Sequence, residues 1–213
     1  NNVIGGTAAG EGNIITNNGW AGINLREENT GNVSICNRIS GNSIYDNGML
    51  GIDLDEDSDN NDEPDGVTTN DVNDPDAGVN NYQNFPVLTT AVSNISSYTT
   101  ITGTINTVSN AEVIVEFFAS PGVDPTGYGE GRTYLGSTTV TTDGSGDAPI
   151  SIELPVGVPS GSYISTTATL HSGDCYSTSE FSNGIMATTI PDTVCMAETN
   201  YVVEVYRDPE VIA

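Results

Sequence analysis

Between residues 53 and 76 the chain reads DLDEDSDNNDEPDGVTTNDVNDPD, eleven carboxylates without one Lys or Arg. Side chains of this type and density do one kind of chemistry well: they surround a hard cation with oxygen. Asp55, Asp57, Asp59 and Asn61 stand at alternate positions. That spacing lets a single loop deliver successive oxygens to Ca2+, which takes about six to eight of them. Asp65 stands beside Gly66, a later acid at a flexible turn, and Asp53, Asp71, Asp74 and Asp76 complete the expected ligand set. Without a cation the same run repels itself and remains a solvated linker. The placement of its Gly and Asn residues favours a folded calcium loop.

Other chemistry is poorly provided for. The single His, His171, has no Ser or Cys nucleophile recognisable by motif, so it reads as a turn residue. Paired carboxylates such as Asp46, Asp53 and Asp55 could serve glycoside hydrolysis, yet in so acidic a chain such pairs arise by chance. A calcium-dependent polysaccharide lyase needs a base, and residues 1–54 offer only Arg26 and Arg38. Trp20 and Tyr45 could stack on sugar rings, but packing is the simpler role. No phosphate loop, haem motif or dinucleotide fingerprint is present. The expectation is a chain that is not an enzyme, with a carbohydrate-active enzyme or a carbohydrate-binding or phage-spike module as the alternatives.

Composition narrows the partners. The 213 residues carry a formal charge of −25, with four Arg and no Lys. Such a chain cannot displace counterions from a nucleic acid, and it is repelled by an anionic membrane surface. Charged residues are only 15% and Gly numbers 24, with Thr, Ser, Val, Ile and Tyr plentiful, which is β-sheet composition rather than general disorder. Of the three cysteines, Cys175 and Cys195 can pair, leaving Cys36 buried or free to cross-link to a partner. No signal peptide or apolar span is read, and the opening NNVIGGTAAG reads as the interior of a longer exported protein.

The elements that must hold the acidic run differ on its two sides. Before it, residues 12–25 align with residues 41–54 at an offset of 29, and eight of the fourteen positions are identical. A repeat of this length with short strands and Asn/Gly turns is the mark of a parallel β-solenoid. It stacks Ile15 on Ile44, Ile23 on Ile52 and Leu25 on Leu54, with Asn13 over Asn42 as an amide ladder. After the run come seven expected strands, at 87–92, 99–105, 112–119, 132–141, 148–154, 162–169 and 181–188, spaced as in a Greek-key sandwich. Val113, Val115 and Phe117 share one face and Ile114 takes the other. The long insertion at 120–131, with Asp124, Tyr128 and Glu130, is the expected binding loop. Residues 201–206 alternate like a further strand, completing the chain's own sheet or adding to a neighbour's.

The combination GGTAAGEGNIIT, NGWAGINL and GNSIYDNGMLGIDL resembles the right-handed parallel β-helix repeats of large secreted bacterial surface proteins. So do NDVNDPDAGVNNYQNFPVLTTA and the later GYGEG, YLGS and TSEFS motifs. The resemblance spans about residues 3 to 185 and implies an all-β architecture: the last coils of a longer parallel β-helix over 1–57, an acidic connector over 58–84, an immunoglobulin-like β-sandwich over 85–190, and a tail over 191–213. It departs at Gly173-Asp174-Cys175-Tyr176, where the family has a Cys-free turn, so a bond to Cys195 would anchor the tail. The implied role is an extracellular, calcium-stiffened structural or adhesive protein of the cell surface. Its expected partners are further copies, other surface proteins or polysaccharide, as in a fibre, with neither nucleic acid nor membrane insertion.

Overall fold

A computed structural model of the chain describes residues 2–26, 33–55 and 65–190. Asp57, Asp59, Asn61, Cys195 and the strand expected at 201–206 lie outside them. The chain is all-β, with one 3-10 turn (Val79–Tyr82) and no α-helix among the described residues.

Six short strands open it: β1 (Asn2–Gly5), β2 (Ile14–Thr16), β3 (Ile23–Leu25), β4 (Asn37–Ser40), β5 (Ser43–Tyr45) and β6 (Ile52–Leu54). They pair in parallel as β1–β4, β2–β5 and β3–β6, which places one set of three upon the other. Ile15 faces Ile44, Ile23 faces Ile52 and Leu25 faces Leu54, as the 29-residue repeat requires. The amide ladder forms as well: Asn13 Nδ2 donates to Asn42 Oδ1 at 2.9 Å, and Asn18 Nδ2 to Asn47 Oδ1 at 2.8 Å. Asn2 pairs with Asn37, six residues beyond the repeat offset, because residues 6–13 form a longer loop than Gly41 and Asn42 below it. The ladders are three separate two-stranded sheets, and no closed solenoid is shown.

The remaining strands are β7 (Val87–Asn94), β8 (Tyr98–Asn106), β9 (Glu112–Ser120), β10 (Thr133–Thr141), β11 (Asp147–Leu154), β12 (Tyr163–Ser172), β13 (Cys175–Thr178), β14 (Ile185–Met186) and β15 (Thr188–Ile190). One sheet runs β10-β9-β12-β13 with β14 beside β12, and the other runs β11-β8-β7-β15. They face each other across Leu88, Ile101, Ile105, Ile150 and Leu154 on one side and Val113, Val115, Phe117, Ile164 and Ala168 on the other.

The β9 sheet is buried on both faces. Its second face carries Phe118, which joins Phe181, Ile23, Ile39, Ile44, Ile52 and Leu54 in a separate core. The coil, the β9 sheet and the β7 sheet are therefore three layers with two cores between them. This explains why β9 carries Ile114 and Phe118 on one face as well as Val113, Val115 and Phe117 on the other: each face meets a layer.

Two expectations are corrected. The strand expected at 181–188 is broken up, because Phe181 leaves the sheet to lie edge-on to Phe118 at 5.3 Å in the coil-side core. Regular structure comes earlier, in β13. The disulfide joins Cys36 to Cys175, not Cys175 to Cys195. Cys36 precedes β4, and β13 packs beside β4, so the bond clips the coil to the sandwich across 139 residues.

Candidate metal centre

The lower strand set of the coil, β4, β5 and β6, would expose a row of backbone N–H groups if nothing covered it. Loops and strands of the sandwich meet them one by one. Asn37 N donates to Asn80 Oδ1 at 2.9 Å, and Ile39 N to Thr178 Oγ1 at 3.0 Å. Gly41 N donates to Glu116 Oε2 at 2.8 Å, and Ser40 Oγ donates to the other oxygen of that carboxylate. Ile44 N donates to the Gly131 carbonyl at 2.9 Å. Asn47 gives both its backbone N (3.2 Å) and its Nδ2 (2.7 Å) to Glu130 Oε1. Leu54 N donates to Glu180 Oε1 at 2.9 Å, while Thr68 N takes Oε2 at 3.0 Å. Three buried glutamates thus lie against the ends of three strands. Burial pushes each above the usual carboxylate range, and Glu180 reaches about 8, with its two amide donors pulling against burial.

Residues 67–86 run past this seam and are held by their own side chains. Asn70 Nδ2 donates to the Phe85 carbonyl (2.8 Å), and its Oδ1 accepts from Phe85 N (3.0 Å). Asn84 Nδ2 donates to the Asp71 and Asn106 carbonyls at 2.7 and 2.9 Å. Asn80 adopts a left-handed backbone (φ 47°), as do Asn81 and Tyr82 after it. Such a run is costly except for residues of the Asn type, whose side chains bond locally. Here the fully buried Asn80 amide also donates to the Asn37 and Thr178 carbonyls, at 2.8 and 2.9 Å.

In this segment Asp71, Asp74 and Asp76 bring one carboxylate oxygen each within 4.8 Å of the others. Asp74 is buried; its Oδ2 accepts from Thr107 Oγ1 at 2.6 Å and from Asn84 N at 3.4 Å. Its Oδ1 has no partner, and neither has Asp71 Oδ1. Burial raises Asp74 to about 6, Thr107 and Asn84 pull it down, and the charges of Asp71 and Asp76 raise it again. Two orphaned oxygens beside a third carboxylate are a fit seat for a cation, since buried acceptors almost always have partners. The all-oxygen set suits a hard divalent ion.

No protein-family model matches the chain, and no curated protein matches it either.

The expected ligands therefore separate. Asp71, Asp74 and Asp76 meet. Asp53 and Asp55 are buried at the end of the coil, and Asp65 lies close enough to Asp53 to raise its pKa. The expected binding loop is largely occupied with structure. Asp124 accepts from Thr126 N and Oγ1 at 2.8 and 2.6 Å, Tyr128 lies edge-on to Phe85 at 5.7 Å, and Glu130 is tied to Asn47. Asp124 and Glu130 line an open cleft of about 530 Å³ with Tyr45, whose ring lies under Arg132.

Sequence reading missed the capping role of Glu116, Glu130 and Glu180. A signal was present: Glu116 interrupts the face shared by Ile114 and Phe118, and the other two glutamates sit inside GYGEG and TSEFS. Gly131 completes the first motif, because a Cβ there would meet both Phe118 and Phe181 at 2.7 Å.

Proposed function

We propose that this chain is a non-enzymatic module of an extracellular structural or adhesive surface protein. On this reading, coils of a right-handed parallel β-helix are closed at one side by an immunoglobulin-like sandwich, and calcium stiffens the seam. The observation that carries it is a set of six coil amides, those of Asn37, Ile39, Gly41, Ile44, Asn47 and Leu54, that are met by acceptors of the sandwich or of the segment leading to it. An uncapped parallel coil would add strands from a second copy; capping directs stacking to the other side. There, β1, β2 and β3 have no further strand beside them among the described residues, and Val3 and Ile14 are exposed. That side is where further coils of the same chain, further copies or other surface components would stack. The Cys36–Cys175 bond fits an oxidising exterior. Asp71, Asp74 and Asp76 supply the calcium seat.

The test is self-association of the Glu116→Ala, Glu130→Ala double variant, followed by size-exclusion chromatography with light scattering. Uncovering the Gly41 and Asn47 amides should produce dimers and larger species at concentrations where the wild type is monomeric. A double variant that stays monomeric and equally stable contradicts the capping role.

A further inference from the structure

The β3–β6 ladder pairs Asn24 with Asp53, so their side chains stand side by side on one face. Asp53 is fully buried and both its carboxylate oxygens lack a hydrogen-bond partner; Asn24 Oδ1, also buried, lacks one too. Three orphaned oxygens thus come from adjacent strands. After burial itself, the strongest influences on Asp53 are the negative charges of Asp65 and Asp55, and together they raise it to about 7. The Gly66 and Asp65 amides lie near enough to offset this in part, yet neither makes a well-formed hydrogen bond to Asp53.

We propose that the Asn24–Asp53 rung, with Asp55 and Asp65, is a second seat for Ca2+, separate from the Asp71, Asp74 and Asp76 group. A buried carboxylate without a well-formed hydrogen bond is costly, and native chains rarely leave one so. A proton shared between Asp53 and Asn24 Oδ1 satisfies two of the three oxygens and leaves the third, and a bridging water leaves the buried Asp53 charge in place. A divalent cation answers both needs. The ligand atoms are carboxylate and amide oxygens with no nitrogen or sulfur, the set that a hard, geometrically tolerant ion prefers. The repeat sharpens the point: the upper coil has neutral Asn24 where the lower coil has Asp53, so the charge is added only at the rung beside Asp55 and Asp65. An ion here would tie β6 to the backbone at residue 65, just ahead of Thr68, which already donates its Oγ1 to the Leu54 carbonyl at 3.0 Å. The seat stands on the orphaned oxygens and does not depend on the Asp71 group binding an ion.

The test uses the whole chain, stripped with chelator and dialysed against Ca2+ alone, as wild type, Asp53→Asn and Asp74→Asn. Bound calcium is measured by mass spectrometry of the metal, and melting is followed with and without Ca2+. Asparagine suits position 53, since Asn24 fills the same place one coil above, and circular dichroism checks the fold. Asp53→Asn should bind one ion fewer than wild type. It should melt higher than wild type in chelator, where a buried charge has been removed, and lower in calcium, where a ligand has been lost. Asp74→Asn should keep the ion at position 53. If Asp53→Asn keeps the wild-type ion count and calcium-induced melting shift, the proposal is overturned, while a deficit confined to Asp74→Asn leaves the seat in the 67–86 segment standing. A wild type that binds no calcium removes both seats, but not the glutamate caps.

Discussion

Two sets of buried carboxylates meet at the seam, and they are solved in opposite ways. Glu116, Glu130 and Glu180 come from the sandwich, and their oxygens accept from N–H and O–H donors of the coil and of Thr68. Asp53, Asp71 and Asp74 lie on the coil end and the following segment, and they present oxygens that no donor meets. Burial alone does not separate the two sets, since it raises Glu180 to about 8 and Asp53 to about 7. The partners do. A carboxylate aimed at amides is a structural cap; one with an unmet oxygen beside other carboxylates could hold a cation.

The largest effect should come from removing a cap. Glu180→Ala leaves the amides of Leu54 and Thr68 without acceptors, which should cost about 2–6 kcal/mol at roughly 1–3 for each unmet donor. Urea denaturation should show this loss equally with calcium and with chelator. A loss seen only in calcium would make Glu180 a metal ligand and erase the distinction between the sets. Next comes Gly131→Ala, which sets a methyl group between Phe118 and Phe181 and should cost about 1–3 kcal/mol by overpacking. If its melting point equals the wild type's, the coil-side core is looser than a packed seam requires.

A smaller effect is the pH dependence of stability in calcium-free buffer. The three glutamates have folded pKa values raised by burial, so their favourable contribution is fully present below the ordinary value near 4.5. It is lost as the pH rises through the folded value, about 8 for Glu180. Melting points in chelator should therefore fall from pH 5 to pH 8, and Glu180→Ala should flatten the slope. A rise over the same range would mean that hydrogen bonding, not burial, dominates these groups.

Much of the pairing among β1–β6 was legible in the sequence, because a 29-residue repeat fixes which residues share a rung; Ile15 on Ile44 and Asn13 on Asn42 follow from alignment alone. The sandwich strands were legible from alternation, as in Val113, Val115 and Phe117. What escaped was the contact between the two. Alternation reports that Ile114, Glu116 and Phe118 share a face, but it cannot report that a second layer covers that face. The disulfide escaped for the same reason: Cys36 and Cys175 are 139 residues apart and meet only because β13 lies beside β4. Of the candidate ligands, density of charge found the right neighbourhood. It could not divide Asp53 from Asp71, Asp74 and Asp76, since that division is made by the backbone between residues 65 and 86.

Hydrogen exchange at the backbone amides of Ile39, Gly41, Ile44 and Leu54 tests the capping of the coil most directly. Three of these belong to strands with a neighbour on one side only and Gly41 directly follows β4, and their acceptors come from the sandwich. They should exchange as slowly as amides in β9 and β12, at the rate of global opening. Fast exchange at Gly41, Ile44 and Leu54 alongside a protected sandwich would show a bare coil edge and contradict the account.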